Sequence, residues 1–265
     1  MAGALLVVRE VAFRDRSRRV TTEDALSRFR DEASSTTSGS TAAATKPAVG
    51  PSASIGPTPP AAATALPALG VYRYRTSGQE SVDVLGGAHH AYPAETTVTV
   101  TSDGCGVRLR WDALRERRDE WRLCATPTGI TEAWALQYHE FFKQPDPEAL
   151  VCPADTLLLP REPRAGATWA AACTLAKDPE PQQFTVVGTE SIEVGGTMVP
   201  TVHVRQAVQT NVAMYEHTVN DWWLRADGLP VRGVETKVSK SPSPIGAVTY
   251  REQYRIDVEA TAPLR

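Results

Sequence analysis

Residues Cys105 to Cys124 read CGVRLRWDALRERRDEWRLC. Cys105, Val107, Leu109 and Trp111 fall on one parity and Arg108 and Arg110 on the other; the alternation resumes before Cys124, after a knot of charge. A period of two with one apolar face is the pattern of an antiparallel strand packed on one side. The stretch therefore reads as a hairpin with a charged, solvated tip, bracketed by cysteines.

The same pattern continues along the chain. VYRYR from Val71, TVTVT from Thr97, ITEAWALQYHEF from Ile130 and TWAAACTL from Thr168 alternate in the same way. Turn signals separate the runs: Asp103-Gly104, Pro127-Thr128-Gly129, Gly195-Gly196 and Asp227-Gly228. Paired glycines between alternating runs mark a hairpin, because the favoured two-residue turn needs positive φ. The expected fold is all-β, an antiparallel meander over residues 69–262 that forms a curled sheet or half-barrel.

Upstream the composition changes. Residues 20–32, VTTEDALSRFRDE, predict a short helix capped by Thr21 or Thr22, with Glu23 and Asp24 at its positive end. Residues 33–68 are rich in Ser, Thr, Ala and Pro and carry a single charge, Lys46. Such a tract cannot bury a core and reads as a disordered stalk. Residues 1–19 begin with an apolar run, Ala4–Val8, and turn basic. They are expected to be the remnant of a signal anchor with its basic flank, although arginines on that side run against the positive-inside tendency.

The formal net charge of −3 gives no case for a nucleic-acid partner. The four cysteines lie far from the close-set pairs of structural zinc sites. An even count on strands and strand ends, beside an exported-type stalk, favours two disulfides; four free buried thiols are the alternative. Nearest-neighbour pairing joins Cys105 to Cys124 and Cys152 to Cys173. With Cys105 directly opposite Cys124, however, Val107 would face Arg122 and mix the two faces. A bulge or a strand-end offset is needed to restore the register.

No catalytic motif stands out. G-x-S-x-G, the P-loop and G-x-G-x-x-G after a strand are absent, and His139-Glu140 has Lys143 where a second histidine would complete a zinc motif. His89-His90 reads as a surface loop. His203 and His217 read as strand histidines. Asp119, Glu120 and Glu140 read as solvated charge. No catalytic residue, metal or cofactor is expected. Adjacent strand residues point to opposite faces, so Trp222 and Trp223 cannot share a side. An unclosed sheet with an apolar concave face would bind a hydrophobic ligand, with Trp222, Trp223 and Trp134 as the candidate lining.

REVAFRDRSRRVTTEDALSRFR, the stalk, and GVYRYRTSGQESVDVLGGAHHAYPAETTVTV together resemble uncharacterised actinobacterial exported or membrane-anchored proteins. FTVVGTESIEVGGTMVPTVHV followed by DWWLRADGLPVR is similar to the strand segments of periplasmic lipoprotein-carrier half-barrels, over residues 180–260. The first resemblance implies an extracytoplasmic, secreted or membrane-anchored location, with membrane contact only through the N-terminal anchor. The second implies a curved sheet and, by analogy of fold alone, lipid carriage. The expected function is a non-enzymatic envelope module that binds a lipid, another hydrophobic ligand or a cell-wall partner. The alternatives are a hydrolase-like enzyme with an unrecognised site and a structural or sensory ectodomain without a ligand. Carboxylates or histidines clustered in one pocket would favour the enzyme, and an apolar groove edged by tryptophan the binding module.

Overall fold

The computed structural model describes residues 17–37, 65–175, 178–211, 215–243 and 246–265. The expected signal-anchor remnant, apart from residues 17–19, and stalk residues 38–64 lie outside the described residues. One helix, α1 (Thr22–Thr37), precedes fourteen strands among the described residues. These are β1 (Gly70–Val82), β2 (Ala88–Ala91), β3 (Glu95–Asp103), β4 (Gly106–Asp112), β5 (Arg117–Thr126), β6 (Gly129–Phe141) and β7 (Gln144–Val151). There follow β8 (Leu157–Pro160), β9 (Thr168–Leu175), β10 (Asp178–Val194), β11 (Thr197–Asn211), β12 (Tyr215–Leu224), β13 (Pro230–Ser243) and β14 (Gly246–Val258).

The antiparallel meander is as expected, but the sheet does not stay open. β14 returns to β1 and pairs with it from Tyr74↔Val258 to Val82↔Tyr250, which closes a ring of twelve strands. The half-barrel expectation fails because this long-range pairing has no local sequence signal. β2 and β8 stand outside the ring: β2 continues the line of β3 beside the second half of β1, and β8 pairs with the start of β6. The outward parity of β1 and β14 carries exposed Arg73, Arg75, Arg251 and Arg255. A wall facing lipid would need an apolar band there.

Both disulfides have the nearest-neighbour pairing, Cys105–Cys124 and Cys152–Cys173. The register puzzle resolves by an offset at the strand end. Cys124 faces Gly106 and Cys105 sits in the preceding turn, so Val107 meets Leu123 and Leu109 meets Trp121. The second disulfide lies at the thinnest seam of the ring, where β7 and β9 share only Leu150↔Leu175 and Val151↔Thr174. Above that point β7 has no second neighbour among the described residues, and it carries Pro145 and Pro147. Prolines blunt a free edge, since they offer no N–H to a further strand.

α1 lies against the outside of the ring and runs five residues beyond the expected 20–32. Thr21 and Asp24 cap it reciprocally: the Asp24 N–H donates to Thr21 Oγ1 and the Thr21 N–H to Asp24 Oδ2, both at 3.1 Å. Arg28 donates to buried Asp112 at 2.7 Å. Residues 33–37, expected to open the stalk, instead form its last turn, where the Ser34 and Ser35 hydroxyls bond the carbonyls of Arg30 and Asp31.

Candidate functional site

Twelve strands enclose more space than apolar side chains fill; about eight is the number at which side chains just close a barrel interior. This chain divides the interior along its axis. At one end Tyr72, Tyr74, Val98, Leu109, Trp111, Leu123, Ile130, Leu224 and Ile256 pack into a floor with almost no solvent exposure. Tyr74 donates to the Pro230 carbonyl at 2.7 Å and Trp111 Nε1 to Thr96 at 2.9 Å, so the floor leaves these polar atoms satisfied.

The other half of the lumen is polar, which corrects the expectation of an apolar concave face. Its centre is Arg117, wholly buried, whose guanidinium bonds Asp119 and takes Glu252 at 3.0 Å through both Nε and Nη2. Arg117 and Asp119 belong to the charged tip of the opening hairpin. They turn inward on the parity of Trp121 and Leu123 instead of meeting solvent. Glu120 is also buried, on the outer face, among Arg108, Arg110 and Arg118. Burial alone would raise the Glu252 pKa, but Arg117 holds it below its ordinary value. Tyr92 and Tyr250 also donate to Glu252.

Beside this group, Glu80 gathers three donors. His90 Nδ1 lies 2.7 Å from it, His139 Nδ1 2.8 Å and the Tyr250 hydroxyl 3.0 Å. Burial would push its pKa up, but the histidine hydrogen bonds and nearby Arg117 bring it down to about 2. His89-His90 is therefore not a surface loop. It forms strand β2, with His89 exposed and His90 buried and stacked on Phe141 at 4.5 Å. The outer nitrogen of His139, Nε2, is buried and has no hydrogen-bond partner.

Two cavities open on this polar half. The mouth has a volume of about 570 Å³. Val82, Val84, Leu85, Phe141, Phe142 and Val248 form its apolar rim, and His139, Glu148, Lys237 and Tyr250 form its polar base. Leu85 and Phe142 hold positive φ, 54° and 55°, a conformation costly for bulky side chains. Below the mouth an inner chamber of about 50 Å³ is lined by Asp119, Glu132, Glu148, Glu180, Glu216 and Glu235, by the amides of Gln137, Gln182, Gln206 and Asn220, and by Trp121 and Trp222. Lys237 lines the mouth and reaches Gln137 at 2.7 Å, Glu148 at 3.7 Å and Glu216 at 3.6 Å. Burial opposes its charge, but these carboxylates raise its pKa above the ordinary value.

The three candidate tryptophans do not form one site. Trp222 points into the lumen, edge-to-face with Trp121 at 5.6 Å. Trp223 points outward, stacked on His203 and beneath Arg232. Trp134 is also outside, beneath Arg122. The polar lumen residues escaped sequence reasoning because an apolar-inward rule selects the wrong face in places. In VETKV, Val234 and Val238 face out while Glu235 and Lys237 are buried inside. The available signal was parity: Glu252 shares a face with Tyr254, Ile256 and Val258. No protein-family model, curated protein or solved structure matches this chain.

Proposed function

We infer that this protein is an extracytoplasmic, non-enzymatic binding module that holds a small amphiphilic molecule, a lipid or another envelope component, in the mouth of its barrel. The observation that carries the reading is the lining of the mouth, an apolar rim over a polar base in a volume of about 570 Å³. That is the size and make-up of small-molecule pockets, which pair apolar walls with a few placed polar groups. The floor supports a cup over a pore, since packed side chains block the far end. The two disulfides support an oxidising compartment, as does the resemblance to exported proteins. The resemblance of residues 180–260 to half-barrel carriers supports the ligand class, although the ring here is closed.

The test is displacement of an environment-sensitive apolar dye from the purified full chain by straight-chain alcohols of increasing length. Affinity should rise with chain length, by about 0.8 kcal/mol per buried methylene, and then level off once the mouth is full. Dye that neither binds nor is displaced by any alcohol refutes the reading.

The carboxylates clustered in the inner chamber, with His139 in the mouth above them, favour a second reading, the enzyme. His139 Nδ1 is held by Glu80 and its buried, unpartnered Nε2 belongs to a residue that lines the mouth. A carboxylate-oriented imidazole facing a cavity has the form of a general base. Turnover of a panel of ester and glycoside substrates that is abolished in His139→Gln would replace the binding reading with this one.

A further inference from the structure

Three of the chamber carboxylates, Glu132, Glu180 and Glu235, have no salt-bridge partner among the described residues. The cations nearby are engaged elsewhere, Lys237 with Glu148 and Glu216, and Arg117 with Asp119 and Glu252. A second observation points the same way. Glu235 Oε1 and Asn220 Oδ1 have no hydrogen-bond partner, and their side chains, 2% and 8% exposed, both line this chamber. Buried polar atoms without partners are rare and costly. Asn220 Oδ1 only accepts, and so does Glu235 Oε1 once its carboxyl is ionised, so what completes the pair in that form must donate.

We propose that the inner chamber receives the primary ammonium head of an organic amine whose apolar part lies in the mouth. The proposal rests on the reading of the mouth as a ligand site. The dimensions fit, because about 50 Å³ admits an ammonium and its first methylene but not a large head group. The donor pattern fits as well. An ammonium offers three N–H bonds to acceptors spread around a volume, and among the described residues no three His, Cys, Asp or Glu side chains converge closely enough to hold a metal ion. Trp121 and Trp222 also line the chamber, and aromatic rings attract cations. Lys237 shows that the surroundings accept such a group, since its own buried ammonium is held by Gln137, Glu148 and Glu216. Glu148 lines both the mouth and the chamber, so the two cavities adjoin at the Lys237–Glu148 pair.

The surroundings of these carboxylates favour their protonated forms. Burial, with the charge of Asp119, raises Glu132 to about 8. Burial, with Glu216 adding to it and Lys237, Gln182 and Glu148 also facing the group, raises Glu180 to about 7. Glu235 is raised by burial and by Glu252 and Asp119, against Arg117 and Lys237, with the Tyr254 hydroxyl 3.4 Å away. An entering ammonium favours the ionised forms and expels protons, so affinity rises with pH until the free amine itself deprotonates.

The experiment is calorimetric titration of the full chain with octylamine, octanol and octanoate at pH 6 and pH 8.5, in two buffers of different ionisation heat. Octylamine should bind at least about tenfold more tightly than octanol, gain a further factor of about ten between the two pH values, and release protons. Glu235→Gln and Glu180→Gln, on different strands, should each erase most of that preference while octanol binding stays. Equal, pH-independent binding of octylamine and octanol overturns the ammonium site and leaves the mouth reading intact. A preference for octanoate overturns the sign of the site. Failure of all three ligands to bind overturns the mouth reading and this proposal with it. Folded variants that keep the full amine preference also overturn the proposal.

Discussion

Replacing Glu132 by Gln should stabilise the protein, and by an amount that depends on pH. Glu132 lines the inner chamber with no salt-bridge partner among the described residues, and burial with the charge of Asp119 raises its pKa from 4.5 to about 8. Between those two values the folded state holds a proton that the unfolded chain has released. The unfolded state therefore binds fewer protons, and stability falls as pH rises, by about 1.4 kcal/mol per pH unit for this one group. From pH 4.5 to pH 7 the loss is about 3 kcal/mol. Gln keeps the shape of the protonated acid and cannot ionise, so E132Q should recover most of that loss at neutral pH and nothing at pH 4.5.

Thermal unfolding followed by circular dichroism from pH 4 to pH 9 reads the difference directly. A gain of about 2–3 kcal/mol corresponds to roughly 5–10 °C in Tm for a domain of this size. Glu80 provides an internal control of opposite sign, because its hydrogen bonds from His139 and His90 lower its pKa to about 2. Its contribution is present above about pH 4.5 and lost as pH falls towards 2, and E132Q should leave that acid limb unchanged. A difference between variant and parent that is constant across pH, or that becomes a loss at pH 8, would refute the claim that half-buried Glu132 faces the chamber without a cation.

Arg117→Met should destabilise strongly, by about 3–5 kcal/mol, because it leaves Asp119 and Glu252 buried without their counter-charge; chemical denaturation measures this. Adding Asp119→Asn and Glu252→Gln to it should recover much of the loss. Replacing Cys152 and Cys173 together by Ser should cost about 3 kcal/mol on the chain-entropy argument, and amide exchange should rise first in β7 and β9, where the ring is thinnest. Labelling the unfolded, unreduced parent with a thiol reagent should find no free cysteine. Phe142→Gly should relieve the positive φ, for a gain of about 1 kcal/mol, while weakening dye binding in the mouth.

What the sequence discloses depends on the range of the interaction that decides each feature. The hairpins are local, and they were legible: Gly195 and Gly196 do hold positive φ between β10 and β11, and Gly228 does so before β13. The disulfide pairing was nearly local too, and the facing of Val107 with Leu123 required only the strand-end offset already implied by the apolar parity. Ring closure depends on β1 meeting β14 across nearly the whole domain, and neither strand carries a mark of that partner. The site was hidden for a related reason. A small sheet buries one apolar face, and the apolar-inward rule presumes that geometry; a closed ring of twelve strands has an inside too wide to fill, so inward positions divide between a packed floor and a polar chamber. Whether Glu235 is surface or lumen therefore follows from the number of strands, which no window of sequence contains. The same argument makes closure the determinant of the proposed site. If β14 left β1, Tyr250 and Glu252 would swing away from Glu80, His139 and Arg117, and the mouth would lose the wall that Val82, Val248 and Tyr250 form. A β14 variant that disrupts only this pairing, such as Gln253→Pro opposite Gln79, should therefore abolish dye and amine binding together.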